Sequence, residues 1–217
     1  MLKSTEHYLI QIDPWRPSYL ITKGWLLLIK GEESKADTCC FDKALYSAFN
    51  FFDKRNVSED LSYNEENWEF VIRRDIHFDH PSIGYVYKHI GEAFFDVRKF
   101  HRAIACFEAA IPYMNSEIGT FYIYRDLGAS YLMVRNYEKS IDYFSKAELL
   151  KGGDYYIYNG LGNAYYHLKD YQKANMYFEK AYQLAPNVEV VNNLIAVNKV
   201  LGDSAKVDFY RRLLKKR

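Results

Sequence analysis

One spacing occurs three times along the C-terminal part of this chain. In its clearest copy Tyr158, Leu161, Gly162 and Tyr165 are followed by Ala174, Phe178, Ala181 and Pro186. The same offsets recur 34 residues earlier at Tyr124, Leu127, Gly128, Tyr131, Ser140, Phe144 and Ala147. They recur again 37 residues before that at Tyr87, Ile90, Gly91, Phe94, Ala103, Phe107 and Ala110. Each copy holds two apolar stripes at helical spacing, so each predicts a pair of amphipathic helices. Self-similarity at such a period marks a stacked array, in which a unit buries its apolar face only against its neighbours. Glycine within a helix costs about 1 kcal/mol relative to alanine. Three glycines in register, at 91, 128 and 162, therefore require close packing that offsets the cost.

The third copy matches the pattern W-x2-L-G-x2-Y…A-x3-F…P, and in this the chain resembles the tetratricopeptide repeat family. The resemblance implies an all-α fold, a right-handed superhelix (solenoid) of helical hairpins. The expected organisation is a degenerate helical cap with an irregular connection over residues 1–83, then an array over 84–217. The array divides into repeats at 84–117, 121–154 and 155–188, with a degenerate capping hairpin at 189–217. That last hairpin has Ala196 where the glycine would stand, a turn at Gly202-Asp203 and an amphipathic final helix from about Ser204 to Lys215. The first repeat departs at its end, where Pro112 follows Ile111 and the connection through Asn115 to Thr120 is about three residues longer.

Upstream of the array the period fades. Residues 18–30 predict a helix, opened by Pro17-Ser18 and stopped before Gly31, where glycine suits a left-handed C-terminal position. A polar connection, GEESKAD, is expected next, then an amphipathic helix from Cys40 to Asp53. With Gly24 and Leu27 at first-helix spacing and Ala44-x3-Ala48 echoing the second, the pair looks like a degenerate repeat. Its connection then counts about eight residues too long, and Ala48 occupies the place of the large aromatic. Over residues 54–83 the acidic segments Ser58-Glu59-Asp60 and Asn64-Glu65-Glu66 suggest an exposed connection. Trp68, Val71, Ile72 and Ile76 fit a short helix, although Trp68, Phe70 and Ile72 also alternate as a strand would.

The formal net charge is +1, and the last twelve residues, KVDFYRRLLKKR, carry six basic and one acidic side chain. A nucleic-acid binder normally carries a basic face across its domain, so these cations fit a solvated helix end better. Cys39, Cys40 and Cys106 have no metal-ligand or disulfide spacing, which favours a reducing compartment. The N-terminus lacks the uninterrupted apolar core of a signal peptide, and the longest apolar run, Trp25 to Ile29, is too short for a membrane span. A cytoplasmic protein is expected.

At 100° per residue, positions 4, 7, 8 and 11 of each first helix face one way, and positions 2, 5, 9 and 12 form a second stripe about 130° away. That stripe is Tyr85, Lys88, Glu92 and Phe95, then Tyr122, Arg125, Ala129 and Leu132, then Tyr156, Asn159, Asn163 and Tyr166. The resemblance implies that it lines the concave groove where the family's ligands lie. Tyr85, Lys88, Glu92, Tyr122, Arg125, Tyr156, Asn159, Asn163 and Tyr166 are thus the candidate ligand-binding residues. The repeated tyrosine has two open readings, a ladder facing the ligand and packing against a neighbouring helix. Against the clamp with which some family members hold the C-terminal carboxylate of chaperone peptides, the matching positions are Lys88, Glu92, Asp126, Tyr156 and Gly160. Only Lys88 fits, and two acids stand where a carboxylate ligand would go.

The expected function is a non-enzymatic interaction module for a protein or peptide element of hydrogen-bonding and partly acidic character, without cofactor, nucleic acid or membrane. No phosphate loop, G-x-S-x-G or HExxH supports catalysis. One alternative is a dedicated inhibitor or immunity-type protein neutralising a single partner, with residues 1–83 forming part of the interface. Another is a metal-dependent activity at Asp75-Ile-His77-Phe-Asp79-His80, centred on His77 and His80, for which no second His or Cys cluster completes a ligand set.

Overall fold

The computed structural model describes residues 17–45, 83–114, 116–152 and 154–215. Among these every regular element is helical, and the chain is all-α. Two compact units divide it, Met1–Asn115 and Ser116–Arg217. The division falls in the connection whose length departs from the repeat period. The first unit holds α1 (Pro17–Ile29), α2 (Glu33–Ala36) running into a π turn (Asp37–Phe41), α3 (Ile83–Asp96), α4 (Phe100–Ala110) and a 3-10 turn (Ile111–Tyr113). The second holds α5 (Glu117–Met133), α6 (Tyr137–Lys151), α7 (Tyr155–His167), α8 (Tyr171–Leu184), α9 (Val188–Leu201) and α10 (Ser204–Lys215).

Each repeat closes on the same contact. A β-carbon on Gly91 would lie 2.6 Å from the ring of Phe107, one on Gly128 2.6 Å from Phe144, and one on Gly162 2.5 Å from Phe178. These distances are below any van der Waals contact, so the aromatic ring occupies the space that the glycine leaves open. Phe107, Phe144 and Phe178 are buried, as are Ala110, Ala147 and Ala181 one turn later. Phe144 is held from both sides, because a β-carbon on Gly160 of the next hairpin would lie 2.4 Å from it. Ser140 takes the alanine position without penalty by donating its hydroxyl to the Gly128 carbonyl at 2.8 Å, which satisfies a buried polar group.

The first hairpin is more regular than its sequence suggests. Its helix α1 ends at a turn where Gly31 has φ +78, and Gly31 N and Glu32 N donate to the carbonyls of Leu28 and Leu27. Arg98, Arg135 and Lys169 take the same left-handed position, at φ 62, 63 and 64, with the same two backbone bonds. GEESKAD is therefore not a long connection, since α2 starts at Glu33 directly after the turn. The aromatic's place belongs to Phe41. A β-carbon on Gly24 would lie 2.3 Å from Phe41, and Ala36, Phe41 and Ala44 are buried. The sequence spacing is Ala-x4-Phe-x2-Ala, one residue longer than in the other repeats. A π turn adds one residue to a helical turn, and the Asp37–Phe41 turn absorbs the insertion between Ala36 and Phe41. Residues 46–53 of the expected second helix, Trp68 and its neighbours, and the His77–His80 cluster lie outside the described residues.

Charge and aromatic contacts join the first hairpin to the next. The Phe41 ring meets Phe94 edge-on at 5.3 Å, and the Arg102 guanidinium lies 4.1 Å over Phe94. Arg102 also donates two bonds of 2.8 Å to the Asp37 carboxylate and one of 2.7 Å to Glu33, while Lys99 pairs with Glu33 at 3.0 Å. In the second unit each helix start is capped by a side-chain oxygen, from Ser116, Asn136, Asp154, Asp170, Asn187 and Asp203 in turn. Caps of this kind are worth about 1 kcal/mol each. The residues preceding α2 and α4, Glu32 and Lys99, make no such bond.

Candidate functional site

Much of the tyrosine excess goes into packing within hairpins. Tyr131 stacks on Tyr143 with centroids 5.5 Å apart and planes 4° apart, and Tyr165 stacks on Tyr177 at 5.5 Å and 3°. Tyr124 and Tyr158 close the two clusters at 6.0 and 6.1 Å. Lysines lie over the rings, Lys139 and Lys146 on the first cluster, Lys173 and Lys180 on the second. These rings belong to positions 4 and 11 of the first helix, the packing stripe, and to the second helix.

The other stripe behaves differently in each unit. In the first, Tyr85 is half-buried and Lys88 is 9% exposed. Lys88 forms an ion pair with Glu92 one turn on, and His89 Nδ1 lies 2.6 Å from the other carboxylate oxygen. Burial pushes the Glu92 carboxyl up, but His89 and Lys88 outweigh it and hold its pKa down at about 2. Phe95, at position 12, packs edge-on against Phe100 at 5.3 Å and so belongs to the hairpin turn.

In the second unit the stripe forms one continuous face across α5, α7 and α9. The Arg125 guanidinium lies 4.8 Å from the Tyr122 ring and 5.6 Å from the Tyr156 ring. Its Nε and Nη2 both donate to Asp126 Oδ1, at 3.1 and 2.9 Å. Burial disfavours the charged guanidinium, yet Asp126 more than compensates and its pKa is raised. Tyr156 stays exposed at 41%. Burial, and then the nearby Asp126 carboxylate, push its hydroxyl pKa up.

Asn159, one helical turn beyond Tyr156, is only 7% exposed. Its amide donates to Glu189 Oε1 at 2.8 Å and accepts from Asn193 at 2.9 Å. Asn163 is half-buried. Tyr166 is half-buried against Tyr171 at 5.5 Å, the counterpart of Phe95 on Phe100. Arg125 and Tyr156 thus meet across α5 and α7, and Asn159 reaches α9, whereas Tyr166 turns toward its own hairpin.

Asp126, Glu189 and Asn193 complete this face and were not among the candidates. Asn193 stands one period of 34 residues after Asn159, so extending the stripe into the capping hairpin finds it. Asp126 adjoins Arg125 in sequence, but that the two share a bond depends on side-chain rotamers. Among the described residues no group of three His, Cys, Asp or Glu could hold a metal ion. No described helix is long and apolar enough to cross a membrane.

Residues 119–187 match a family model described as tetratricopeptide repeat. No curated protein matches the chain in sequence. Among solved structures it resembles Pseudomonas aeruginosa PilF, at 17% identity and a TM-score of 0.63 over 95% of this chain and 78% of that one. It also resembles BtubC (BKLC) from P. vanneervenii, at 17% identity and a TM-score of 0.65 over 92% of this chain and 78% of that one. The first TPR of Spaghetti (RPAP3), bound to the HSP90 peptide SRMEEVD, is 20% identical over 55% of this chain and 94% of that one, with a TM-score of 0.51. At these identities the likeness is one of fold.

Proposed function

The chain is a tetratricopeptide repeat protein, and from that premise we propose that it is a non-enzymatic module binding a peptide or protein element on the first-helix face of its second unit. The observation that carries this is the face itself. Tyr156 stands exposed beside Arg125 and Tyr122, next to a hydrogen-bonded floor of Asn159, Asn193 and Glu189. Tyr131 and Tyr165, by contrast, are stacked on second-helix tyrosines within their hairpins. A ring held in place by its neighbours offers apolar area at little entropic cost, and a face fixed in advance avoids paying for order on binding. Asn159 serves as a positioning residue, since both ends of its amide are bonded within the protein. Asn163 is the remaining polar contact of this face. Tyr85, Lys88 and Glu92 form the corresponding stripe of the first unit.

The test is affinity capture from the source cell with the wild-type chain and with a Y122A/Y156A variant shown by circular dichroism to be folded. A protein retained by the wild type and lost with the variant supports the reading. Equal retention by both places the binding site elsewhere.

A further inference from the structure

The sign of charge on this face identifies the chemistry of its partner, and the inference rests on the reading just given. A site for an acidic peptide needs cations free to meet carboxylates. On the second unit's face Arg125 is bonded through two nitrogens to Asp126, a charge-assisted contact that already compensates its charge. The Lys151 ammonium lies 5.0 Å over the ring of Phe121 and 5.7 Å from that of Tyr122.

The α9 side has the opposite character. Glu189 is exposed and its Oε1 accepts from the amide of Asn159, the residue one helical turn after the exposed Tyr156 on α7, which fixes the carboxylate on the Tyr156 side of α9. An aromatic face beside a fixed carboxylate is the arrangement that attracts an ammonium or guanidinium group, by the ring quadrupole and the charge together. We propose that the second unit binds a basic peptide segment, one of whose Lys or Arg side chains seats against Tyr156 and Glu189. The segment's preference therefore runs opposite to the partly acidic ligand that Lys88, Arg125 and the asparagines suggest when read as a list of donors.

The experiment pans a phage-displayed library of random twelve-residue peptides on the full chain. Recovered peptides are then titrated against wild type, E189Q and Y122A/Y156A. Gln at 189 keeps an oxygen for Asn159 while removing the charge. The expected result is enrichment of Lys and Arg over the input library, with affinity weakened about three- to tenfold by E189Q. Replacing the key peptide Lys by norleucine should weaken wild-type binding by a similar factor and add little further loss in E189Q. Peptides enriched in Asp and Glu, or basic peptides indifferent to E189Q, overturn the charge assignment while loss of binding in Y122A/Y156A keeps the face as the site. Recovery of no peptide, or full binding by Y122A/Y156A, overturns the face and this inference together.

Discussion

The first hairpin and the α5–α6 hairpin make one contact in two ways. In both, a helical glycine lies against an aromatic ring from the partner helix, Gly24 against Phe41 and Gly128 against Phe144. In both, a residue with positive φ makes the turn, Gly31 in one and Arg135 in the other. They differ in the second helix. From Ser140 to Phe144 the chain is regular α-helix, whereas from Ala36 to Phe41 it passes through a π turn with one residue more. The α6 start is capped by Asn136; α2 has no cap bond and is tied instead to α4 through Glu33, Asp37 and Arg102. What is preserved is the ring filling the glycine's space, and the backbone changes its winding to preserve it.

The most severe way to test this comparison is by deletion. Removing Asp142 would carry Phe144 and Ala147 about 100° round the helix, away from Gly128, and should cost ~4 kcal/mol or more, the scale of losing a buried aromatic. Removing Thr38 returns the first hairpin to Ala-x3-Phe-x2-Ala and should change stability by less than about 1 kcal/mol. Denaturant unfolding of both variants decides it, and equal losses would break the π-turn account.

A smaller effect is expected from overpacking. Gly128→Val should destabilise by about 3 kcal/mol, because Gly160 closes the far side of Phe144 and the ring has nowhere to move. A melting temperature within a degree or two of wild type would contradict the close contact. Arg102→Met tests the tie that stands in for a cap. It keeps an unbranched apolar chain but loses the guanidinium's bonds to Asp37 and Glu33 and its place over Phe94, and because these groups are partly exposed the expected loss is about 1 kcal/mol. No loss would leave the first hairpin held by packing alone.

The smallest effect concerns pH. The Glu92 pKa in the folded chain is lowered from 4.5 to about 2, so its contribution is fully present above about pH 4.5 and is lost as pH falls through 2. The stability gap between wild type and E92Q should narrow over that window. A gap independent of pH would mean that Lys88 and His89 do not hold the carboxylate.

How much of this was legible varies along the chain. Gly91, Gly128 and Gly162 with their aromatics announced the three repeats, and Gly202-Asp203 marked the turn before the last helix. The first hairpin was misread because spacing rules assume 3.6 residues per turn. One extra residue shifted Phe41 out of register and made Ala48 the apparent match. At the candidate site, Tyr122, Arg125 and Tyr156 followed from position in the repeat. That Tyr166 packs on Tyr171, that Asn159 is buried and bonded to Glu189 and Asn193, and that Arg125 is neutralised by Asp126 did not follow.

The sequence by itself determined the helical pairs, their turns and the stripe of each first helix, because these depend on residues three, four and seven apart and on small side chains at fixed offsets. The tertiary structure decided which members of the stripe remain available to a partner. That depends on contacts between residues 30 to 34 positions apart and on the rotamers of Arg125 and Glu189. Periodicity assigns a side chain to a face but does not say which neighbour on that face already holds its charge or its hydrogen bonds.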